Sequence, residues 1–215
     1  MIVSIDIKEI LVSIGGDVKS RRAYLMQARA AGVAHTRQRI LRAAFDLAHE
    51  KMSLEIVLAD IAERAEVSVQ TILRHFGSRD GLLDAVADFA CREIASERVA
   101  PIGDVNAAVR VLFDHYELRG DAVLRFLGQE SFDERIRQVT ARGRSVHRDW
   151  VARVFAPQLA AHPGERAALT DLLVVATDVY TWKLLRRDRA LGLQSARARV
   201  RQLITAIVGA PPGAR

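Results

Sequence analysis

The chain has 215 residues, half of them apolar and 27% charged, with a net charge of +6. That length and apolar share build a real core and exclude a disordered chain or a lone coiled coil. The excess of base mildly favours a polyanionic partner. A single cysteine, Cys91, excludes an intramolecular disulfide framework or a cysteine-only zinc site and suits a reducing cytoplasm. No apolar run reaches the roughly 18 residues of a membrane span, and Asp6, Lys8 and Glu9 interrupt the apolar start, so neither a membrane segment nor a secretory leader is expected.

Residues 1–34 read as an N-terminal extension. Met1 to Ile14 suits a short strand or a short helix, and Gly15-Gly16 is expected to break it. Lys19, Arg21, Arg22 and Arg29 suit an arm on the DNA backbone or minor groove. The same residues suit a flexible extension, with Met26 as an alternative start. From Thr36, expected as an N-cap, Ile40, Leu41, Ala44, Leu47 and Ala48 form a helical stripe ending near Lys51. A second helix is expected from Leu58 to Ala65, with Ile61, Ala62 and Ala65 on one face. A third runs from Val69 to His75, with Ser68 as its cap and Val69, Ile72, Leu73 and Phe76 inward. Only Glu66, Val67 and Ser68 separate the two. Two short amphipathic helices joined by so short a turn outline a helix-turn-helix, whose second helix enters the DNA major groove.

Ser78 caps a fourth helix carrying Leu82, Leu83, Val86, Phe89, Ala90 and Ile94, and Pro101 and Gly103 mark a loop after it. Asp104 opens a helix with Val105, Ala108, Val109, Leu112, Phe113 and Tyr116, which Gly120 is expected to stop. Asp121 starts a short helix, and Asp133 a longer one closing near Pro157. From Pro163 one helix is expected as far as Arg189, and Ser195 caps the last. Leu172 to Val175 is apolar at four consecutive positions, more than one buried face requires, which suggests burial by a second subunit as well. No sustained period-two alternation occurs, so the fold expected is all-α. It comprises a three-helix helix-turn-helix domain at 35–80 and a helical effector-binding and dimerisation domain at 81–215.

TRQRILRAAFDLAHE (Thr36 to Glu50), DIAERAEVS (Asp60 to Ser68) and TILRHFGSRDGLL (Thr71 to Leu83) follow in the order and spacing of a known family. Across this quarter of the chain the sequence resembles the TetR family of bacterial transcriptional regulators. The resemblance implies a homodimer on a near-palindromic operator, with helix three in the major groove. It also implies an effector in the C-terminal domain that moves the two heads through helix four, and repression released by that ligand. Three departures stand out: Glu66 where the family commonly has Gly, Met52 and Val57 where it tends to have Gly and Ser or Thr, and Leu73 where an aromatic is frequent.

Val69, Gln70 and Thr71, at the start of the recognition helix, are placed to read bases. Gln70 suits bidentate pairing with adenine, and the methyls of Val69 and Thr71 suit a thymine methyl. Ser68, Arg74, His75, Arg79, Thr36 and Arg37 complete the expected DNA contacts, His75 on phosphate by resemblance. Acid balances base within Thr36 to Asp80, so phosphate contacts must come from a few aimed groups. An effector pocket would be lined by Phe89, Phe113, Tyr116, Phe126, Trp150 and Tyr180, which suits a small apolar or aromatic molecule. The dimer interface is expected at Leu172, Val175, Val179, Val200, Leu203 and Ile207. Isolated histidines and the absence of nucleophile, phosphate-loop or metal spacings lead us to expect no metal, no cofactor and no enzyme. The alternative is a family member with a weakened DNA head that acts mainly by binding a small molecule or a protein.

Overall fold

The computed structural model describes residues 7–51 and 56–209, and every regular element among them is helical. Met52 lies outside the described residues. The first helix, α1 (Ile7–Glu50), has 44 residues and passes through Gly15-Gly16 without a break. From Ile7 onward the expected extension and helix one are therefore a single element. A helical glycine costs only about 1 kcal/mol relative to alanine, and α1 continues for many residues on either side of the pair. Thr36 is consequently not a cap: its hydroxyl donates to the Gly32 carbonyl one turn back, at 3.0 Å.

The helix-turn-helix follows as α2 (Leu58–Arg64) and α3 (Val69–Phe76), succeeded by α4 (Arg79–Glu97). Both predicted serine caps form. Ser68 accepts from the Thr71 amide at 3.1 Å, and Ser78 from the Gly81 amide at 3.0 Å. Val57, ahead of α2, supplies no side-chain cap. Ile40, Leu41, Ala44, Leu47, Ile61, Ala62, Ile72 and Leu82 form one core, which Phe45 and Phe89 extend edge to face. Helix α4 thus packs its first half into the head.

The second core is organised around α5 (Val105–Gln129), which packs against α6 (Glu134–Val154), α9 (Val179–Lys183) and α10 (Leu193–Gly209), and against α1. Gly120 does not stop α5. It is buried in mid-helix, where a Cβ would lie 2.5 Å from the Trp182 ring, and α5 runs on through Asp121, which opens no helix of its own. Between α6 and α9 lie α7 (Ala156–Ala160), a 3-10 turn (Pro163–Glu165) and α8 (Arg166–Ala176).

The single helix expected from Pro163 to Arg189 is broken at Thr177-Asp178. Asp178 takes an extended backbone and its carboxylate accepts from the Tyr180 amide at 2.8 Å, opening α9 as a new helix that continues into a π turn (Leu184–Asp188). The last helix begins at Leu193, so Ser195 lies inside its first turn.

Candidate nucleic-acid interface

The turn between α2 and α3 is held from behind. Glu66 has φ +52, the left-handed region that costs a non-glycine residue about 1–2 kcal/mol. Arg39 offsets that strain, donating from α1 to the carbonyls of Ala65 at 2.7 Å and Glu66 at 3.2 Å. Sequence periodicity did not single out Arg39, because its partners are backbone atoms 26 and 27 residues away. Replacing Glu66 with Gly is expected to stabilise the fold by about 1 kcal/mol and to tighten DNA binding by removing a carboxylate. Chemical denaturation and a DNA titration check the two parts separately.

On α3, Gln70 and Arg74 are exposed, while Val69 and Thr71 are half-buried. Val69 packs partly against the head core, so only part of its side chain is free to meet a base. Thr71 and Ser68 share a hydroxyl contact at 3.0 Å beside the cap. At the other end of α3, Arg37 donates to the His75 carbonyl at 3.2 Å and lies over the Phe76 ring at 4.3 Å. A cation there meets the negative end of the helix dipole, and it ties α1 to the recognition helix. Arg79, exposed, reaches the Ile56 carbonyl at 3.5 Å ahead of α2. Gln70, Arg74, Ser68 and Arg79 are thus exposed, and Thr36 is half-buried on α1 one residue before Arg37.

A charged cluster joins the head to the second core. Glu97, at the end of α4, takes both His115 and Arg119 of α5, the histidine at 2.8 Å. Arg119 also lies over Phe45 at 4.6 Å and approaches His49 at 3.4 Å, and Arg125 donates to the His49 carbonyl. Burial would raise the Glu97 carboxyl, but the hydrogen bonds from His115 and Arg119 prevail and hold it down at about 2. Burial lowers both His49 and His115.

The buried end of α4 is polar in a second way. Arg98 is 5% exposed, its guanidinium 4.5 Å above Trp150 and its Nη2 2.6 Å from His147 Nδ1. Because Arg98 must donate, His147 accepts at Nδ1 and donates from Nε2 to Thr177 at 3.1 Å, and Thr177 donates to the Leu173 carbonyl at 2.6 Å. Burial, then the Arg98 charge, pushes His147 down to about 3.

The residues expected around an effector are not all brought together. Phe113, Tyr116 and Trp150 are buried in the second core with Trp182. Phe126 is half-buried. Phe89 belongs to the head core and borders a surface cleft with Arg39 and Arg42, and Tyr180 is 57% exposed. Arg142, Arg144 and Arg148 pair with Asp88, Glu130 and Asp171, a solvated face.

The expected dimer residues divide in the same way. Val179 and Val200 lie within the chain's own core and Ile207 is half-buried, whereas Leu172, Val175 and Leu203 are 41%, 63% and 43% exposed. Buried Leu169 and Leu173 turn α8 toward Val200 and Ile204 of α10, which leaves the opposite sides of both helices outward. Of the four apolar positions in a row on α8, Leu173 thus faces the chain's own core while Leu172 and Val175 are exposed, and Val179 and Val200 belong to the inner side.

The head is a capped helix-turn-helix on an all-α scaffold, the arrangement that presents its second helix to a DNA major groove. Residues 40–86, the part of the chain that holds the helix-turn-helix, match the sequence model of the bacterial regulatory proteins of the tetR family. No curated protein matches the sequence. Several solved structures share the fold, two transcriptional regulators among them. A transcriptional regulator from Rhodococcus sp. Rha1 superposes with a TM-score of 0.58 at 16% identity, over 80% of this chain and 96% of its own. A transcriptional regulator of the TerR/AcrR family from Aquifex aeolicus VF5 gives 0.54 at 17% identity, over 80% and 99%. At such identities the likeness is one of fold.

Proposed function

We propose that the protein is a ligand-responsive repressor that binds a near-palindromic operator as a homodimer and leaves it when a small apolar or aromatic molecule binds the second domain. The observation that carries the reading is the α2–α3 unit, with Gln70 exposed on α3 one residue past the residue after the Ser68 cap. Gln70 there reads adenine through N6 and N7, while Ser68, Arg74, His75 and Arg79 set the register on phosphates. The exposed apolar faces of α8 and α10 supply the dimer, which fixes the spacing of the two heads. An effector among Phe113, Tyr116, Phe126 and Trp150 would act on α4, whose end at Arg98 is tied to α6 through His147.

Selecting bound fragments from genomic DNA is expected to return two-fold sites. On such a site Gln70→Ala relaxes preference at one base pair per half by about 1–3 kcal/mol, read by competition titration against single-base variants. Equal losses on selected and random DNA would make Gln70 a mere backbone neighbour. Leu172→Glu with Val175→Glu is expected to convert dimers to monomers by light scattering and to weaken operator binding with them. A dimer that survives this pair of charges lies on another face. The strained Glu66 and uncapped Val57 favour a second reading, in which the head is weak and the chain acts mainly by binding a small molecule or a protein. Absence of any saturable, sequence-preferring DNA binding at low salt would decide for it.

A further inference from the structure

We infer that the N-terminal part of α1 is a second DNA-contacting element, a helical arm that follows the phosphate backbone of the duplex outside the operator half-site; this rests on the DNA-binding reading above. At Arg37 the helix lies against the last turn of α3, bonded to the His75 carbonyl and stacked on Phe76. Toward its N-terminus it then leaves the domain: from Tyr24 to His35 every residue is exposed. Twenty-nine residues, from 7 to 35, lie beyond that contact. At 1.5 Å per residue they reach about 43 Å, the length of about a dozen base pairs at 3.4 Å each.

Charge identifies the partner. From Val18 to Phe45 the sequence contains no Asp or Glu and seven Lys or Arg residues. Arg37, Arg39 and Arg42 are used within the head, on the His75 carbonyl, the turn and Glu93. The other four are Lys19, Arg21, Arg22 and Arg29, of which Arg29 is exposed with no carboxylate against it among the described residues.

Their register matters as well. Leu47, Ala44 and Ile40 of the head core continue at helical spacing through Arg37, Val33, Arg29, Met26, Arg22 and Lys19. The stripe that is wholly apolar inside the head thus takes up Arg37, Arg29, Arg22 and Lys19, with Val33 and Met26 between them, beyond the end of the recognition helix. Paired along Val18 to His35, a second copy of the arm would be a poor partner, since that stretch brings cations together with no carboxylate of its own. A duplex backbone supplies the missing charge.

The test uses the full chain and a variant with Lys19, Arg21, Arg22 and Arg29 changed to Gln, whose fold is checked by helicity and thermal unfolding. Both are titrated onto two duplexes centred on a selected site, one ending at the half-sites and one extended by about fifteen base pairs on each side. The arm predicts that wild type binds the long duplex about tenfold tighter than the variant does, with a salt slope steeper by roughly 0.9 for each phosphate contact, and a footprint that shrinks in the variant. On the short duplex the two proteins bind alike. Equal affinities on the long duplex overturn the arm while leaving the head intact, and so does an equal deficit of the variant on both lengths. A variant that binds like wild type but changes mass by light scattering makes the arm a self-association element and overturns the proposal too. Failure of wild type to bind either duplex overturns the arm together with the DNA-binding reading.

Discussion

Acidification from pH 7 toward pH 4 is expected to destabilise the protein by a few kcal/mol, and His147→Gln is expected to flatten that dependence. In the folded chain His147 titrates at about 3, because it is buried and its Nδ1 faces the Arg98 guanidinium. Unfolded, it recovers the ordinary histidine value of 6.5. Its folded value is depressed, so the unfolded chain takes up the proton first as pH falls below 6.5. The stability it contributes is therefore complete above 6.5 and is lost progressively down to about 3. One group supplies at most about 1.4 kcal/mol per pH unit. His49 and His115, also lowered by burial, act in the same direction.

Glu97 enters only later, since its depressed carboxyl gives stability that is lost between 4.5 and about 2. The two windows overlap only between 4.5 and about 3, so the slope between 6.5 and 4.5 is free of Glu97. Urea denaturation at half-unit pH steps measures the slope. In His147→Gln the amide costs some fit at neutral pH, but between 6.5 and 4.5 the curve loses the His147 share of its slope. An imidazole of His147 that titrates near 6.5 in the folded protein by NMR would sink this account.

How much of this was legible beforehand depended on range. Local chemistry was readable: Ser68, Ser78, Asp104 and Asp133 all cap the helices whose starts they mark, and the short turn between α2 and α3 announced the head. Thr36 failed as a cap because capping chemistry cannot reveal that the preceding residues are helical too, and its hydroxyl simply bonded one turn back. The break at Asp178 was hidden because an acidic residue within an apolar run also fits an exposed position of a continuous helix. Two-sided apolarity on α8 was visible, whereas the assignment of Val179 and Val200 to the inner side depends on which helix they meet. The buried path from Arg98 through His147 to Thr177 joins residues 49 and 30 positions apart, and no spacing rule connects them. Glu66 was recognised as a departure from a resemblance, and its positive φ gives that departure a physical cost.

Gly120 shows most directly how packing overrides a local signal, and its substitution should reverse the usual effect of filling a helical glycine. In an open helix, Gly→Ala stabilises by up to about 1 kcal/mol. Gly128, on the same helix, has no heavy atom within 4 Å of an added Cβ, and Gly128→Ala should follow that rule. At Gly120 the added carbon would meet Cζ3, Cη2 and Cε3 of Trp182 at 2.5, 2.6 and 2.9 Å. The ring has little room to retreat. It is 1% exposed, its indole N–H donates to Glu117 at 2.9 Å, and the Arg187 guanidinium lies 4.4 Å from its centroid. Glu117 is fixed in turn by Arg186. Overpacking at such a site costs about 1–3 kcal/mol, so Gly120→Ala should be less stable than wild type and Gly128→Ala more stable. Trp182→Leu tests the cause: in that background the alanine at position 120 should lose much of its penalty, because contacting residues are non-additive. If the two alanine variants unfold alike, Trp182 does not rest on α5, and the close approach of α5 and α9 that organises the second core is wrong.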